Sequence, residues 1–385
     1  MATYKEQNKL NVPHLRFPEF EGEWEKCKLG DIATGFDYGM NAPAKVFDGV
    51  NKYIRITDID EASSTYNDSD IVSPDGTLTD TYLVNERDIL LARTGASTGK
   101  SYLYKKTDGK LYFAGFLIRA NVPEHNPYFV FSQLHTHRYW KWVSIMSARS
   151  GQPGINSQEY SSFPIYTTSI QEERKISKLL SLLEERIATQ SKLIEDLKKL
   201  KSAISKKLLC NDKWTTCIIQ DIAEIGRGRV ISSVEIDRQK HPLYPVYSSQ
   251  TSNNGIMGYL DNYMFDGEYI TWTTDGANAG TVFYRKGKFN CTNVCGTLKI
   301  LPKFDCYFVS LVLQQATQKY VSSNLANPKL MNNTMASIKI RMPNMETQKQ
   351  LSKVFQTLDS CLLVHQRTCK MYLSEKQYLL RQMFI

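Results

Sequence analysis

The chain has 385 residues, enough for about two or three domains, and its 42% hydrophobic and 11% aromatic content suffices for sizeable cores. Its net charge of +9 is compatible with a polyanionic partner without demanding one. No run approaches the ~18 apolar residues of a membrane span, residues 1–6 lack a signal-peptide pattern, and the eight cysteines show no zinc-type spacing, so a cytoplasmic protein with reduced thiols, no bound metal and no membrane partner is expected.

In chain order, residues 1–168 are expected to form a globular domain. Trp24 opens the pattern Trp-x-x-Cys-x-(Ile/Leu)-x-Asp-Ile-Ala, with Cys27, Asp31, Ile32 and Ala33. Short β-like runs at 52–56 and 88–92 precede a helix beginning near Tyr128. Two polar loops, 93–101 and 149–156, are rich in Gly, Ser, Thr and basic residues. Glycine allows close approach of backbone to a ligand. Arg, Lys, Asn and Gln read base edges, while Ser and Thr donate to phosphates. Candidate DNA-binding residues here are Arg93, Thr94, Ser97, Thr98 and Lys100, then Arg149, Ser150, Gln152 and Asn156.

Residues 169–210 are expected to form a long helix. Ile176, Leu180, Leu183, Ile187, Ile194, Leu197, Ile204 and Leu208 step alternately by three and four around polar breaks at Gln190 and Lys201, which is a heptad seam. Leu179, Leu182, Leu193 and Leu200 form a second apolar line. This line is a candidate docking face for another protein, with packing inside the same chain as the alternative.

Residues 211–343 repeat the first domain. Trp214, Cys217, Asp221, Ile222 and Ala223 restate the opening pattern at an offset of 190. Gly276-Ala277-x-x-Gly280 restates Gly95-Ala96-x-x-Gly99, and Tyr307-Phe308-Val309 restates Tyr128-Phe129-Val130. Candidate DNA-binding residues in this copy are Arg227, Arg229, Ser248, Asn253, Asn254, Thr273, Thr274, Asp275, Asn278, Lys329, Asn332 and Asn333. Residues 344–385 are expected to form a second long helix at a constant offset of 175 from the first, with a seam of Leu351, Phe355, Leu358, Leu362, Tyr372, Leu379 and Met383. Its breaks, His365 and Lys376, fall where the first helix has Gln190 and Lys201. Antiparallel pairing of the two helices is the simpler topology. The fold class is α/β with long helices: a pseudo-twofold repeat of two tandem globular domains separated by antiparallel coiled-coil helices.

No catalytic residues are apparent. The stretch ending Gly99-Lys100-Ser101 imitates a phosphate-binding P-loop, but Gly95 and Gly99 are one residue too close and the second copy has no lysine. Asn126-Pro127-Tyr128-Phe129 imitates the catalytic loop of adenine-N6 methyltransferases, yet reads better as an N-cap with proline at N1. Two rivals remain open: an enzyme acting on nucleotides through the 95–100 loop, and a coiled-coil scaffold with protein-binding ends.

A globular domain with polar loops followed by a long helix, repeated once, resembles the specificity subunit of type I restriction–modification systems. The segment Val12-Pro13-His14-Leu15-Arg16-Phe17-Pro18-Glu19-Phe20, the Gln171-Glu172-Glu173-Arg174-Lys175-Ile176 stretch and the closing Leu379-Leu380-Arg381-Gln382-Met383-Phe384 carry the likeness. The second helix departs from it, with Thr347-Gln348-Lys349-Gln350-Leu351. The resemblance implies two target recognition domains, each reading one half of an asymmetric bipartite site in double-stranded DNA. It implies helices that set the gap and dock two methyltransferase subunits, with two restriction subunits as further partners. Such a chain is not itself an enzyme and binds no cofactor: S-adenosylmethionine, ATP and Mg belong to the partner subunits.

Overall fold

The computed structural model describes residues 11–148, 153–209, 212–322 and 327–385; Arg149, Ser150 and Gln152 lie outside the described residues. The chain divides into two compact units, residues 1–190 with 368–385 and residues 191–367. Each unit holds one globular copy with part of both long helices, Ile170–Leu208 and Met345–Gln382.

In the first unit, a four-stranded antiparallel sheet has the order Thr34–Tyr38, Leu117–Asn121, Asp88–Ala92, Ser101–Leu103. Asp88–Ala92 is buried throughout. Its alternation sends Ile89 and Leu91 into one apolar cluster and Leu90 and Ala92 into another, so both sheet faces are covered. The predicted run at 52–56 is shorter as a strand, Lys52–Ile54, because a 3-10 turn takes over at Ile56. In the second unit the same order recurs as Ala223–Arg227, Cys295–Ile300, Glu268–Thr273, Val282–Lys286. In each copy the opening strand pairs antiparallel with the strand that leads into a long helix: Glu25–Lys28 with Pro164–Thr167, and Thr215–Ile218 with Lys339–Met342.

Each globular copy is latched to a helix by the same atoms in repeated form. Asn126 caps the helix Pro127–Gln133, accepting from the Tyr128 and Phe129 amides. Its side-chain oxygen also accepts from the Ser177 hydroxyl (2.8 Å), and its own amide donates to Glu173 (2.8 Å). Asp305, which caps Cys306–Ala316, accepts from Ser352 (2.6 Å), and its amide donates to Gln348 (2.9 Å). Ser352 and Gln348 stand 175 residues after Ser177 and Glu173. The unequal helix starts have a cause too: Glu172 is buried in a two-pronged ion pair with Arg16 (2.7 and 2.8 Å), and Thr347 replaces it in the second helix.

Within each unit the start of one long helix is packed with the end of the other, which is antiparallel pairing. Ile176, Leu180 and Leu183 share a core with Leu379 and Met383; Ile204 packs with Leu351, Phe355 and Leu358. The lysine breaks are filled by charge. Lys376 meets Glu184 at 2.5 Å, and Lys201 meets Asp359, whose other oxygen accepts from the Tyr307 hydroxyl (2.5 Å). These ion pairs interchange under the 175-residue offset, so they fix one register in both units. One seam expectation and one docking expectation need correction. Leu208 is 37% exposed where the helix ends, and Leu209 enters the core instead. Leu179, read as a docking residue, packs against the first unit's own cluster, whereas Leu182, Leu193 and Leu200 are 41%, 39% and 48% exposed.

His135 gives the first unit a pH dependence. Its ring nitrogens meet the Phe131 carbonyl and the Ser64 hydroxyl, both at 2.9 Å. Burial, and then the charge of Lys376, push its pKa from 6.5 down to about 4. The folded state therefore binds its proton later than the unfolded chain, and stability is lost as pH falls from about 6.5 towards 4. The second copy has Gln314 at the corresponding position. Urea unfolding across this window should show an acid-side loss that His135→Gln removes; an unchanged slope in that variant would contradict the assignment.

Candidate nucleic-acid interface

The two polar loops of each copy are joined by backbone. In the first copy, Thr94 forms an isolated bridge with Gly154, the Gly95 amide donates to the Pro153 carbonyl (3.0 Å), and the Ile155 amide donates to Arg93 (2.9 Å). In the second, Asp275 bridges Lys329, the Gly276 amide donates to Pro328 (3.0 Å), and the Leu330 amide donates to Thr274 (2.9 Å). The glycine frame is a packing device. Gly99 has φ +92°, and a Cβ there would come within 2.7 Å of Val143; Gly280, at φ +83°, would meet Val321 at 2.7 Å. Tyr139 and Thr317 donate to their respective carbonyls (2.8 and 2.7 Å). Close packing against the following helical segment accounts for both glycines without a nucleotide.

Beside Arg93 of the first copy lies a cavity of about 650 Å³, lined by Tyr38, Met40, Tyr53, Arg55, Arg93 and Phe116 among others. The Arg93 guanidinium lies over the Tyr38 ring, 4.7 Å from its centroid, and reaches to 3.5 Å from the Gly115 carbonyl. The Tyr38 hydroxyl donates to the Ser157 side chain (3.3 Å) and accepts from its amide (3.2 Å). Hydrogen bonding with the Ser157 side chain, with the Ser157 amide and the nearby Arg93 charge assisting, lowers the Tyr38 pKa. Lys100 is paired with Glu61 (3.3 Å), Ser97 is half-buried, Thr98 is buried and donates to Gly95, and Asn156 caps Ser157–Ser161. Tyr38, Arg55 and Phe116 were not singled out from sequence. They come from strands and turns far apart in the chain, and no local motif marks them.

In the second copy, Arg227 donates to the Asn293 carbonyl (2.5 Å), the Thr274 hydroxyl and the Asp275 carboxylate (both 3.2 Å). Thr273 and Thr274 are fully buried, and the Thr274 hydroxyl donates to the Asp275 carboxylate (2.6 Å). Arg229 pairs with Glu235 (2.9 Å). Asn278 donates to the Ser249 carbonyl (2.9 Å), which ties residues 247–255 to residues 273–281, and Ser248 accepts from Thr292 (3.2 Å). Asn253 and Asn254 are exposed and both left-handed, with φ of 48° and 53°. Beneath them Arg285 is buried, donates to the Asn254 carbonyl (2.9 Å) and lies 3.6 Å from the Tyr247 ring centroid. Asn332 donates to Gly226 (3.3 Å); Lys329 is half-buried and Asn333 exposed. Among the described residues, no helix is long and apolar enough to cross a membrane.

Comparison with known proteins agrees with this repeat. The family described as "Type I restriction modification DNA specificity domain" matches residues 21–199 and again 211–370. Two similar proteins from Mycoplasma pneumoniae (strain ATCC 29342 / M129 / Subtype 1) are named as type I specificity subunits. S.MpnORF289P N-terminus is 44% identical over 36% of this chain and 74% of its own length. S.MpnORF201P is 37% identical over 50% of this chain and 81% of its own length. The crystal structure of a type I restriction–modification S subunit from M. genitalium has the same fold, with a TM-score of 0.72 over 97% of this chain and 99% of that one at 16% identity. A chain from a structural study of type I complex assembly and conformational transition gives 0.53 over 93% and 96%, at 12% identity. Two family matches spanning both copies and most of both helices settle the family: this chain belongs to the type I restriction–modification specificity subunits, with two DNA specificity domains in tandem.

Proposed function

We propose that each globular copy reads one half of an asymmetric, bipartite site in double-stranded DNA, and that the paired helices set the distance between the halves. The observation that carries this is the repetition of the joined loops. Both copies present the same backbone frame, while the side chains on it differ. One frame with two sets of side chains suits two different half-sites. Residues on or beside the frame that reach solvent, such as Arg93, Arg227 and Asn333, together with Asn253 and Asn254 of the second copy's 247–255 loop, are the proposed contacts.

The chain supplies recognition and no chemistry in this reading. S-adenosylmethionine, ATP and Mg act on two methyltransferase and two restriction subunits, which methylate adenine, translocate DNA and cut it. Leu182 in the first unit, and Leu193 and Leu200 in the second, are the proposed methyltransferase-docking residues, since their exposure leaves apolar surface wet in a monomer. The isolated chain should therefore be poorly soluble and bind DNA weakly, and co-expressed methyltransferase subunits should correct both. Leu193→Glu with Leu200→Glu should abolish that rescue. A monodisperse isolated chain with specific nanomolar binding would refute the proposal.

A further inference from the structure

The two copies place an arginine on the same backbone atom from different segments of the domain. The turn at Gly115-Phe116 corresponds to Asn293-Val294, because the Arg93 amide donates to Phe116 where the Thr274 amide donates to Val294 (3.0 and 2.9 Å). The Gly39 amide donates to Leu117 where the Gly228 amide donates to Cys295 (3.1 and 3.0 Å). Position 38 thus corresponds to 227, position 93 to 274, and the Gly115 carbonyl to the Asn293 carbonyl. In the first copy the loop supplies the arginine, Arg93, and the strand supplies Tyr38. In the second the strand supplies Arg227 and the loop supplies Thr274. Each guanidinium reaches the equivalent carbonyl, at 3.5 Å in one copy and 2.5 Å in the other. The arginine has moved between loop and strand and kept its place, which a sequence alignment of the copies hides.

We propose that Arg93 and Arg227 are functional counterparts: each holds a guanidinium fork at the same point of its domain to read the paired acceptors of a guanine in its half-site. This rests on the half-site reading above. Both forks are fixed in orientation, Arg93 by stacking on Tyr38 and Arg227 by Thr274, Asp275 and Asn293. Fixed orientation is what a bidentate base contact requires, whereas a phosphate contact tolerates a mobile charge.

The test maps methylated adenines genome-wide in a methylation-free bacterial strain expressing this chain with its methyltransferase subunit. Arg93→Thr should relax one guanine of one half-site by about tenfold or more, the scale of one lost bidentate contact, with the other half-site unchanged. Arg227→Tyr should do the same in the opposite half-site. Tyr38→Arg added to Arg93→Thr, which builds the second copy's arrangement into the first, should restore the guanine. A structural role for Arg93 would give no such rescue. If Arg93→Thr abolishes methylation altogether, Arg93→Lys replaces it, since lysine keeps the charge without the fork and should relax the same position. Wild-type specificity in that variant, failure of the rescue, or a uniform loss with shallower salt dependence would overturn the proposal. If residues 214–343 exchanged for a relative's domain still switch one half-site, only this inference has failed. If that exchange switches nothing, the half-site reading itself has failed.

Discussion

Adding one matched heptad to each long helix should widen the gap between the two half-sites by up to about three base pairs. Seven helical residues add ~10 Å, and one base pair rises ~3.4 Å. The insertions belong between Glu184 and Lys201 in the first helix and between Asp359 and Lys376 in the second. There the seam stays in phase and both ion pairs survive. Three base pairs also rotate one half-site about the duplex by nearly a third of a turn. Each domain must still face its groove, so the gain in length comes with weaker binding or a smaller gap change. The bases read should not change, since no loop is touched. Methylation mapping reads the gap directly, and an unchanged gap at full activity would mean that the helices do not set it.

Trp24→Ala should be the most destabilising single change in the first unit, costing about 3–5 kcal/mol. Trp24 is almost fully buried, with Phe129 and Phe384 packed edge-on against it at 5.4 and 6.1 Å. It therefore joins the globular domain, the opening segment and the end of the last helix in one cluster. Its counterpart Trp214 is only half-buried and has Phe308 as its aromatic neighbour, with Leu209 in the same core where the first copy has Phe384. Trp214→Ala should cost about 2 kcal/mol, in proportion to the smaller area it hides. Urea unfolding of the full chain compares the two, and equal losses would contradict the packing asymmetry.

What could be read from sequence was whatever repeats at short range. The three–four spacing from Ile176 to Ile204, and its copy 175 residues later, declared the helices because heptad spacing is local. The recurrent glycines declared the loops. Partners distant in the chain stayed hidden. Lys201 and Lys376 were visible as breaks in the seam, but Glu184 and Asp359 look like ordinary polar positions until the helices pair. Tyr38 and Phe116 have no motif, and they reach the Arg93 cavity only through the sheet order. Thr273 and Thr274 looked like loop donors, yet Thr273 closes its strand and both side chains are buried. Helix ends were also illegible: the seam pointed to Leu208, and the last turn delivered Leu209 to the core.

The central claim, that each copy reads its own half-site, is tested most directly by domain exchange. Residues 214–343 are replaced by the corresponding domain of a relative with a different second half-site, the helices and first copy are kept, and methylated adenines are mapped in cells carrying the methyltransferase subunit. Each copy has its own sheet, core and joined loops. One half-site should become that of the donor while the other half-site and the gap stay as they were. A change in both halves, or in neither, would contradict it.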